Sequence, residues 1–288
     1  MSPITTAVFP VAGLGSRFLP ATKTVPKELL PIVDRPLIQY AVDEARAAGI
    51  ENFIFVTGLR TTAIKDHFTP NIELETTLAK RGHAEVLTEL RDLRPANATF
   101  SYVPQPEPLG LGHAVWCARH LVGDKPFAVL LPDDFLRPLG DALRSMIDVH
   151  DRLGSNVVLV QEVPDDETHR YGIVSPTSGS GPQPLVAGIE EKPEHGTAQS
   201  NLAIVGRYIL DAETMNDLAN TPRGVGGEIQ LTDGLARSIG RKDLRAVPLT
   251  GERFDCGTSV GLIEATLSVA LQREDMGSDV ESVMRSFL

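Results

Sequence analysis

The chain is 288 residues long, 42% hydrophobic, and carries a net charge of -11; that length accommodates one large domain with a sizeable buried core. The acidic balance excludes a protein that grips nucleic acid through a basic surface, and no apolar run approaches the roughly 18 residues of a membrane-spanning helix or resembles a secretory leader. Cys117 and Cys256 form neither a CxxC pair nor zinc-ligand spacing, so no disulfide framework or structural metal is implied, and a soluble, cytoplasmic protein without membrane or nucleic-acid partners is expected.

In chain order, "TAVFPVAG" (6–13) reads as a first strand, "PLIQYAVDEARAAGI" (36–50) as a helix opened by Pro36 and closed at Gly49, and "NFIFVTG" (52–58) as a second strand. The segment 72–93 spaces Leu74, Leu78, Val86, Leu90 and Leu93 among charges, which predicts a partly exposed helix or helical pair outside the sheet. "ATFSYVPQ" (98–105) and "PFAVLLPDD" (126–134) read as further strands, the second apolar enough for the centre of a sheet. Beyond them come a helix near 139–152, a strand at 155–163, shorter strands at "YGIVSP" and "VAGIEEKP", a strand at 200–210, one within "DLRAVPLTG" (243–251) and a late helix at 259–274. "TSGSGPQP" (177–184) reads as a surface loop. The alternation predicts an α/β fold, a three-layer, Rossmann-like arrangement with a mostly parallel mixed sheet between helices. It is expected to form one domain over 1–288 with a C-terminal helical extension at 259–288.

The stretch behind the first strand, "VAGLGSRFLPATKTVPKELLPIV" (11–33), sets two glycines before Arg17, Lys23 and Lys27. A dinucleotide fingerprint requires a third glycine where Phe18 stands and an acid near Thr57 and Gly58. A P-loop requires a GK[ST] run that occurs nowhere in the chain. A plain turn accounts for Gly13 and Gly15 but not for the gathered cations. A clamp for a polyphosphate accounts for both, since bare backbone admits phosphate oxygens and basic side chains neutralise them.

The run "VAGLGSRFLPATKTVPKELLPIVDRPLIQY" resembles the signature of the sugar nucleotidyltransferases, and "ELETTLAKRG", "GLGHAV", "LLPDDF", "YGIV", "EEKP", "SNLAIVGRY", "EIQLTD" and "DCGT" carry the likeness along nearly the whole chain. The helical segment at 73–82 and "SNLAIVGRY" resemble the uridylyl branch, the bacterial UTP:glucose-1-phosphate uridylyltransferases. The resemblance implies the nucleotide-diphospho-sugar transferase fold, with sugar-binding elements mainly in 155–258. It also implies conversion of UTP and glucose 1-phosphate to UDP-glucose and pyrophosphate, with Mg2+ as cofactor, in a homotetramer or dimer. A catalytically silent regulatory relative, or an enzyme using dTTP or another hexose 1-phosphate, is the alternative; the complete set Arg17, Lys27, Asp133, Lys192 and Asp255 favours an active uridylyltransferase.

On spacing alone Asp133 reads equally as a cap, Asp255 as a turn acid, and Glu190, Glu191 and Lys192 as a solvated charge run. By resemblance, Asp133 and Asp255 hold Mg2+ on the nucleotide phosphates, and Arg17 and Lys27 contact the triphosphate and the leaving pyrophosphate. Lys192 is implied to bind the sugar phosphate and Glu191 the glucose hydroxyls. Gly172 is implied to admit the sugar ring, with Asn201 in the same pocket. Ala12, Gly13, Gly15 and Ser16 are implied to line the nucleotide, Gln105 to read the uracil edge, and Gly110 and Gly112 to leave room for the base. Asp134, Ser16, Gly227 and Thr258 depart from the family's usual residues at their places.

Overall fold

A computed structural model describes residues 3–59, 62–95, 97–177 and 181–287. Strand β1 (Thr6–Val11) runs into the glycine loop and three single 3-10 turns at Ser16–Phe18, Ala21–Lys23 and Lys27–Leu29. The two-residue strands β2 (Pro31–Ile32) and β3 (Arg35–Pro36) lead into α1 (Leu37–Ala47) and β4 (Asn52–Gly58). Helices α2 (Ala63–His67), α3 (Ile72–Lys80) and α4 (Ala84–Asp92) precede β5 (Thr99–Gln105), α5 (Leu111–Cys117), α6 (Arg119–Val122) and β6 (Phe127–Leu130). Next come β7 (Asp134–Arg137), α7 (Asp141–Leu153), β8 (Asn156–Glu162), β9 (Gly172–Pro176), β10 (Val186–Glu191) and β11 (Leu202–Leu210). The chain closes with α8 (Thr214–Ala219), α9 (Leu231–Ser238), β12 (Leu244–Pro248), β13 (Glu252–Asp255), α10 (Ser259–Leu271) and α11 (Gly277–Ser286).

The central sheet has the order β10-β9-β11-β6-β1-β4-β5, with β8 paired to β11 and β12 to β8. Strands β6, β1, β4 and β5 are mutually parallel, while β11 runs antiparallel to β6, β8 and β9. The mixed α/β sheet expected from the alternation is present. Its parallel half comes from the strand-helix-strand units of the first 130 residues, because parallel neighbours need a crossover between them. Period-2 alternation divides each strand between two cores. Phe9, Phe53, Phe55, Ala128 and Leu130 face α1 and α7, whereas Val8, Ile54, Val56, Phe127 and Val129 face α5, α8 and α9. The rings of Phe9, Phe53, Phe55 and Phe100 stack across β1, β4 and β5 with centroids 4.9–6.0 Å apart. This three-layer packing removes both faces of the sheet from water, the dominant source of stability in such folds.

Helix α1 is preceded by Pro36, whose fixed φ suits a helix start, and followed by Gly49 at φ +92. The segment 72–93 forms the expected pair, α3 and α4; neither helix buries a residue, and the Asn71 side chain caps α3 by accepting from Leu74 N at 3.0 Å. The expected loop at 177–184 lies partly outside the described residues. The strand expected over 126–134 ends at Leu130, so Asp133 sits in the following turn and Asp134 opens β7. Asp255 does not follow the 243–251 strand directly; it ends β13, a short strand that pairs with β7 and sets Asp255 opposite Asp134. Ile32, Leu37, Phe135, Cys256 and Ala265 form a small separate core that ties α10 to this β7–β13 ribbon.

Candidate active site

The C-terminal ends of the parallel strands carry the site, as expected where an open α/β sheet reverses its strand order. Ala12, Gly13, Gly15 and Ser16 lie in the loop that leaves β1. Gly15 has φ +61 and packs against Thr22, whose hydroxyl donates to the Gly15 carbonyl at 2.7 Å. This contact folds the 3-10 turns back over the loop and sets the Lys27 ammonium over Gly13, where an added Cβ would meet Lys27 Nζ at 3.9 Å. The same ammonium lies 2.5 Å from Asp133 Oδ2. Burial opposes the charge of Lys27, but Asp133 and Glu28 outweigh it and hold its pKa above the usual range. Burial also pushes the Asp133 carboxyl up, and the Lys27 charge and hydrogen bond overcome this to hold it below the usual carboxylate range.

Asp133, Asp255 and Arg17 come together over Gly257. A side chain there would meet Asp255 Oδ1 at 3.0 Å, Asp133 Oδ2 at 3.2 Å and Arg17 Nη1 at 3.4 Å, so glycine is what lets the three groups converge. Arg17 donates to the Gly257 carbonyl at 3.2 Å, and Gly257 N donates to Asp255 Oδ1 at 3.1 Å. Each acid is met by a cation, Lys27 on Asp133 and Arg170 on Asp255, the latter with Nη2 3.1 Å from Oδ2.

A cavity of about 470 Å³ opens beside this cluster. Arg17, Asp133, Gly172, Glu191, Lys192 and Asp255 all line it, so residues separated by most of the chain share one cavity. Glu191 Oε2 accepts from Thr232 Oγ1 at 2.8 Å, and Lys192 Nζ stands 3.5 Å from Glu191 Oε1. Gly172 is required by this arrangement, since a Cβ there would meet Thr232 Cγ2 at 2.6 Å and Glu191 Oε2 at 3.1 Å. Lys192 takes a left-handed backbone at φ +47, rare for a residue with a side chain and a form of strain that clusters at functional sites. Among the described residues no cluster of three or more His, Cys, Asp or Glu side chains has metal-ligand geometry, so the paired carboxylates stand apart from any larger ligand set.

The cavity does not gather every residue singled out in the sequence. Gln105 is buried, and its amide is turned inward, donating to the Gly110 carbonyl at 3.0 Å and lying 3.1 Å from His113 Nδ1. It braces the loop after β5 in this state rather than presenting its amide to the cavity. Gly110 and Gly112 lie close against the 228–230 segment. An added Cβ would meet Glu228 Cβ at 2.7 Å or the Ile229 carbonyl at 2.8 Å, so these glycines admit the passing 228–230 backbone. Asn201 contributes its carbonyl to Val163 N at 3.0 Å and is outside the cavity lining. Cys117 and Cys256 are both free thiols, and burial pushes the Cys256 thiol up to about 12, which makes it inert packing in the small core.

Sequence reading passed over Arg253, Arg207 and Thr232. Arg253 lies two residues before Asp255 on β13 and therefore on the same face, which is the signal that marks it. Its Nε reaches Asp134 Oδ1 at 2.5 Å, so Asp134 is directed to this guanidinium. Burial pushes the Asp134 carboxyl above the usual range, with the Asp133 charge adding to the effect. Arg207 is wholly buried. Its guanidinium donates to the carbonyls of Leu131 and Asp134, both at 2.8 Å, and so grips the turn that carries Asp133. Gly206, at φ +61, lies against Asp134 where any side chain would collide with the carboxylate.

Several of the motifs thus meet at one cavity in one fold, and known proteins resemble this chain in sequence and fold. A family model described as nucleotidyl transferase matches residues 7–272. The chain is 45% identical over 289 residues to a UTP--glucose-1-phosphate uridylyltransferase of Bacillus subtilis, covering 100% of this chain and 98% of that protein. A UTP-bound UGPase from Acinetobacter baumannii superposes with a TM-score of 0.90 at 41% identity, covering 98% of each chain. A UDP-glucose pyrophosphorylase complexed with UDP-glucose gives a TM-score of 0.84 at 38% identity over 94% of this chain and 100% of the other. The chain belongs to the nucleotidyl transferase family, in the branch of the UTP–glucose-1-phosphate uridylyltransferases.

Proposed function

We propose that this site transfers the uridylyl group of UTP to glucose 1-phosphate. A phosphate oxygen of the sugar phosphate forms a bond to the α-phosphorus, the bond from that phosphorus to the bridging oxygen breaks, and pyrophosphate leaves with UDP-glucose as product. The observation that carries this reading is the sharing of one cavity by Arg17, Asp133, Glu191, Lys192 and Asp255. The attacking phosphate is already ionised at neutral pH, so no general base is needed. The task is to align two polyanions and to neutralise charge as pyrophosphate departs.

In this assignment Arg17 and Lys27 neutralise the triphosphate above the Ala12–Ser16 loop, with Gly13 leaving the approach open. Lys192 takes the sugar phosphate, and Glu191, oriented by Thr232, accepts hydrogen bonds from glucose hydroxyls beside Gly172. Asp133 and Asp255 suit Mg2+, because two convergent carboxylates match an ion that takes few protein ligands and completes its shell with water and phosphate oxygens. When bound, Mg2+ offsets negative charge on the nucleotide phosphates. Gln105 reads the uracil edge once its amide leaves Gly110, and Asn201 joins the sugar pocket if its segment shifts.

Association with copies of the same chain is part of this reading. Val260, Ile263, Val283 and Phe287 on the two C-terminal helices and just beyond them are more than half exposed, an apolar surface that association would cover. Light scattering on the purified protein tests this. The net charge of -11 and the free thiols accord with a protein of a reducing compartment that does not bind nucleic acid. An assay with UTP, glucose 1-phosphate and Mg2+ that follows pyrophosphate release tests the activity, and competition with dTTP tests its base selectivity. Absence of product at high protein concentration would sink the reading in favour of a silent, regulatory relative.

A further inference from the structure

Of the cations lining the cavity, Arg170 is the one that rests on a carboxylate assigned to the metal. It ends the 3-10 segment Asp165–Arg170, immediately before Tyr171 and Gly172. Its guanidinium holds Asp255 Oδ2 at 3.1 Å through Nη2 and Glu167 Oε2 at 3.1 Å through Nη1, and it lies 5.5 Å from the centre of the Tyr171 ring. The other oxygen of Asp255 accepts from Gly257 N. A divalent cation on Asp255 competes with Arg170 for this carboxylate, since two positive charges gathered on one small group repel each other. The other cations differ. Arg253 is fixed deep on Asp134, and Arg17 is bound to a carbonyl that no substrate removes.

The place to which the freed guanidinium turns is set by the β9–β10 ladder. Tyr171, next in sequence, accepts at its carbonyl from Lys192 N at 2.9 Å, so Arg170 stands one residue from the direct neighbour of Lys192. Both side chains are substantially exposed and line the same cavity. A planar guanidinium binds phosphate oxygens through two parallel hydrogen bonds, which a lone ammonium does not supply.

We infer that Arg170 is a phosphate-binding residue held in reserve on Asp255: it leaves when that carboxylate takes a divalent cation, and binds the sugar-bearing phosphate beside Lys192. The inference rests on the proposed role of Asp133 and Asp255. It makes metal and sugar nucleotide binding mutually reinforcing, since occupancy of Asp255 by the cation makes Arg170 available to the phosphate, and the reverse follows by linkage.

The test uses Mn2+ as the divalent probe, followed by electron paramagnetic resonance, and UDP-glucose followed by calorimetry, on the wild-type chain and on R170A. Without its competitor, R170A is expected to bind Mn2+ alone about five- to ten-fold more tightly than the wild type, the low end of the ordinary range of such couplings. Mn2+ is expected to tighten UDP-glucose binding in the wild type, and by a smaller factor in R170A, where only its direct contact with the phosphates remains. Equal or weaker Mn2+ binding by R170A, or an undiminished Mn2+ effect on UDP-glucose, overturns the inference. A wild-type chain that takes up no Mn2+ overturns the carboxylate assignment and this inference with it; uptake by the wild type with R170A unchanged overturns this inference alone.

Discussion

Arg207 and Glu44 form a bidentate ion pair inside the protein, with Nε 2.9 Å from Oε1 and Nη2 2.7 Å from Oε2, and each side chain is 1% exposed. The pair links α1 to β11, and through Arg207 it holds the Leu131–Asp134 turn on which Asp133 stands. Removing one partner leaves the other charge buried and uncompensated. Glu44→Ala is therefore expected to destabilise the protein by about 3–5 kcal/mol, read by chemical denaturation. A loss below about 1 kcal/mol would show that water reaches the guanidinium and that the brace is dispensable.

Asp133 and Lys192 both line the cavity and act on different phosphates in the proposed reaction. Asp133→Asn and Lys192→Ala are each expected to lower turnover by about 10²–10³-fold, the scale of losing one preorganised charge from a phosphoryl-type site. Circular dichroism is expected to stay unchanged. Near wild-type rates with ordinary Mg2+ dependence in either variant would remove that residue from the assignment.

Glu28 is buried, and neither of its carboxylate oxygens has a hydrogen-bond partner. Desolvation pushes its pKa up to about 7, with Lys27, 3.9 Å away, pulling in the opposite direction. Between the ordinary value of 4.5 and about 7 the folded protein keeps a proton that the unfolded chain has released. Stability therefore falls as pH rises through this window, by about 1.4 kcal/mol per pH unit at its steepest. Glu28→Gln removes the titration, so its melting temperature relative to wild type is expected to rise between pH 5 and pH 8. Parallel curves for the two proteins would contradict the assignment.

Thr232 presents its hydroxyl to Glu191 at 2.8 Å from the first turn of α9. Thr232→Val keeps the shape and removes the donor, which loosens the carboxylate assigned to the glucose hydroxyls. One such hydrogen bond contributes about 1 kcal/mol, so KM for glucose 1-phosphate is expected to rise about five-fold while kcat changes less. A fall confined to kcat would place Thr232 with the reacting phosphates instead.

The parallel half of the fold was legible because its signals are local. The short apolar runs "TAVFPVAG" and "NFIFVTG" mark β1 and β4, and the amphipathic spacing between Pro36 and Gly49 marks α1. Beyond β6, the elements β7, β13 and α8 are only four to six residues long, too short for a period to declare them.

For the site, the sequence by itself determined the chemistry available: a glycine loop followed by cations, acids near strand ends, and motifs that resemble one family. Only the tertiary structure decided which of these groups meet. Asp133 and Asp255 converge because β7 and β13 pair in a register that local spacing does not contain, and because Gly257 has no side chain to keep them apart. Gly110 and Gly112 serve a crossing backbone, and Gln105 braces a loop, for reasons that exist only once Ile229 lies against them. Local periodicity reports which face of an element avoids water; the partners of a polar group depend on contacts between distant segments, and those are fixed by how the layers pack.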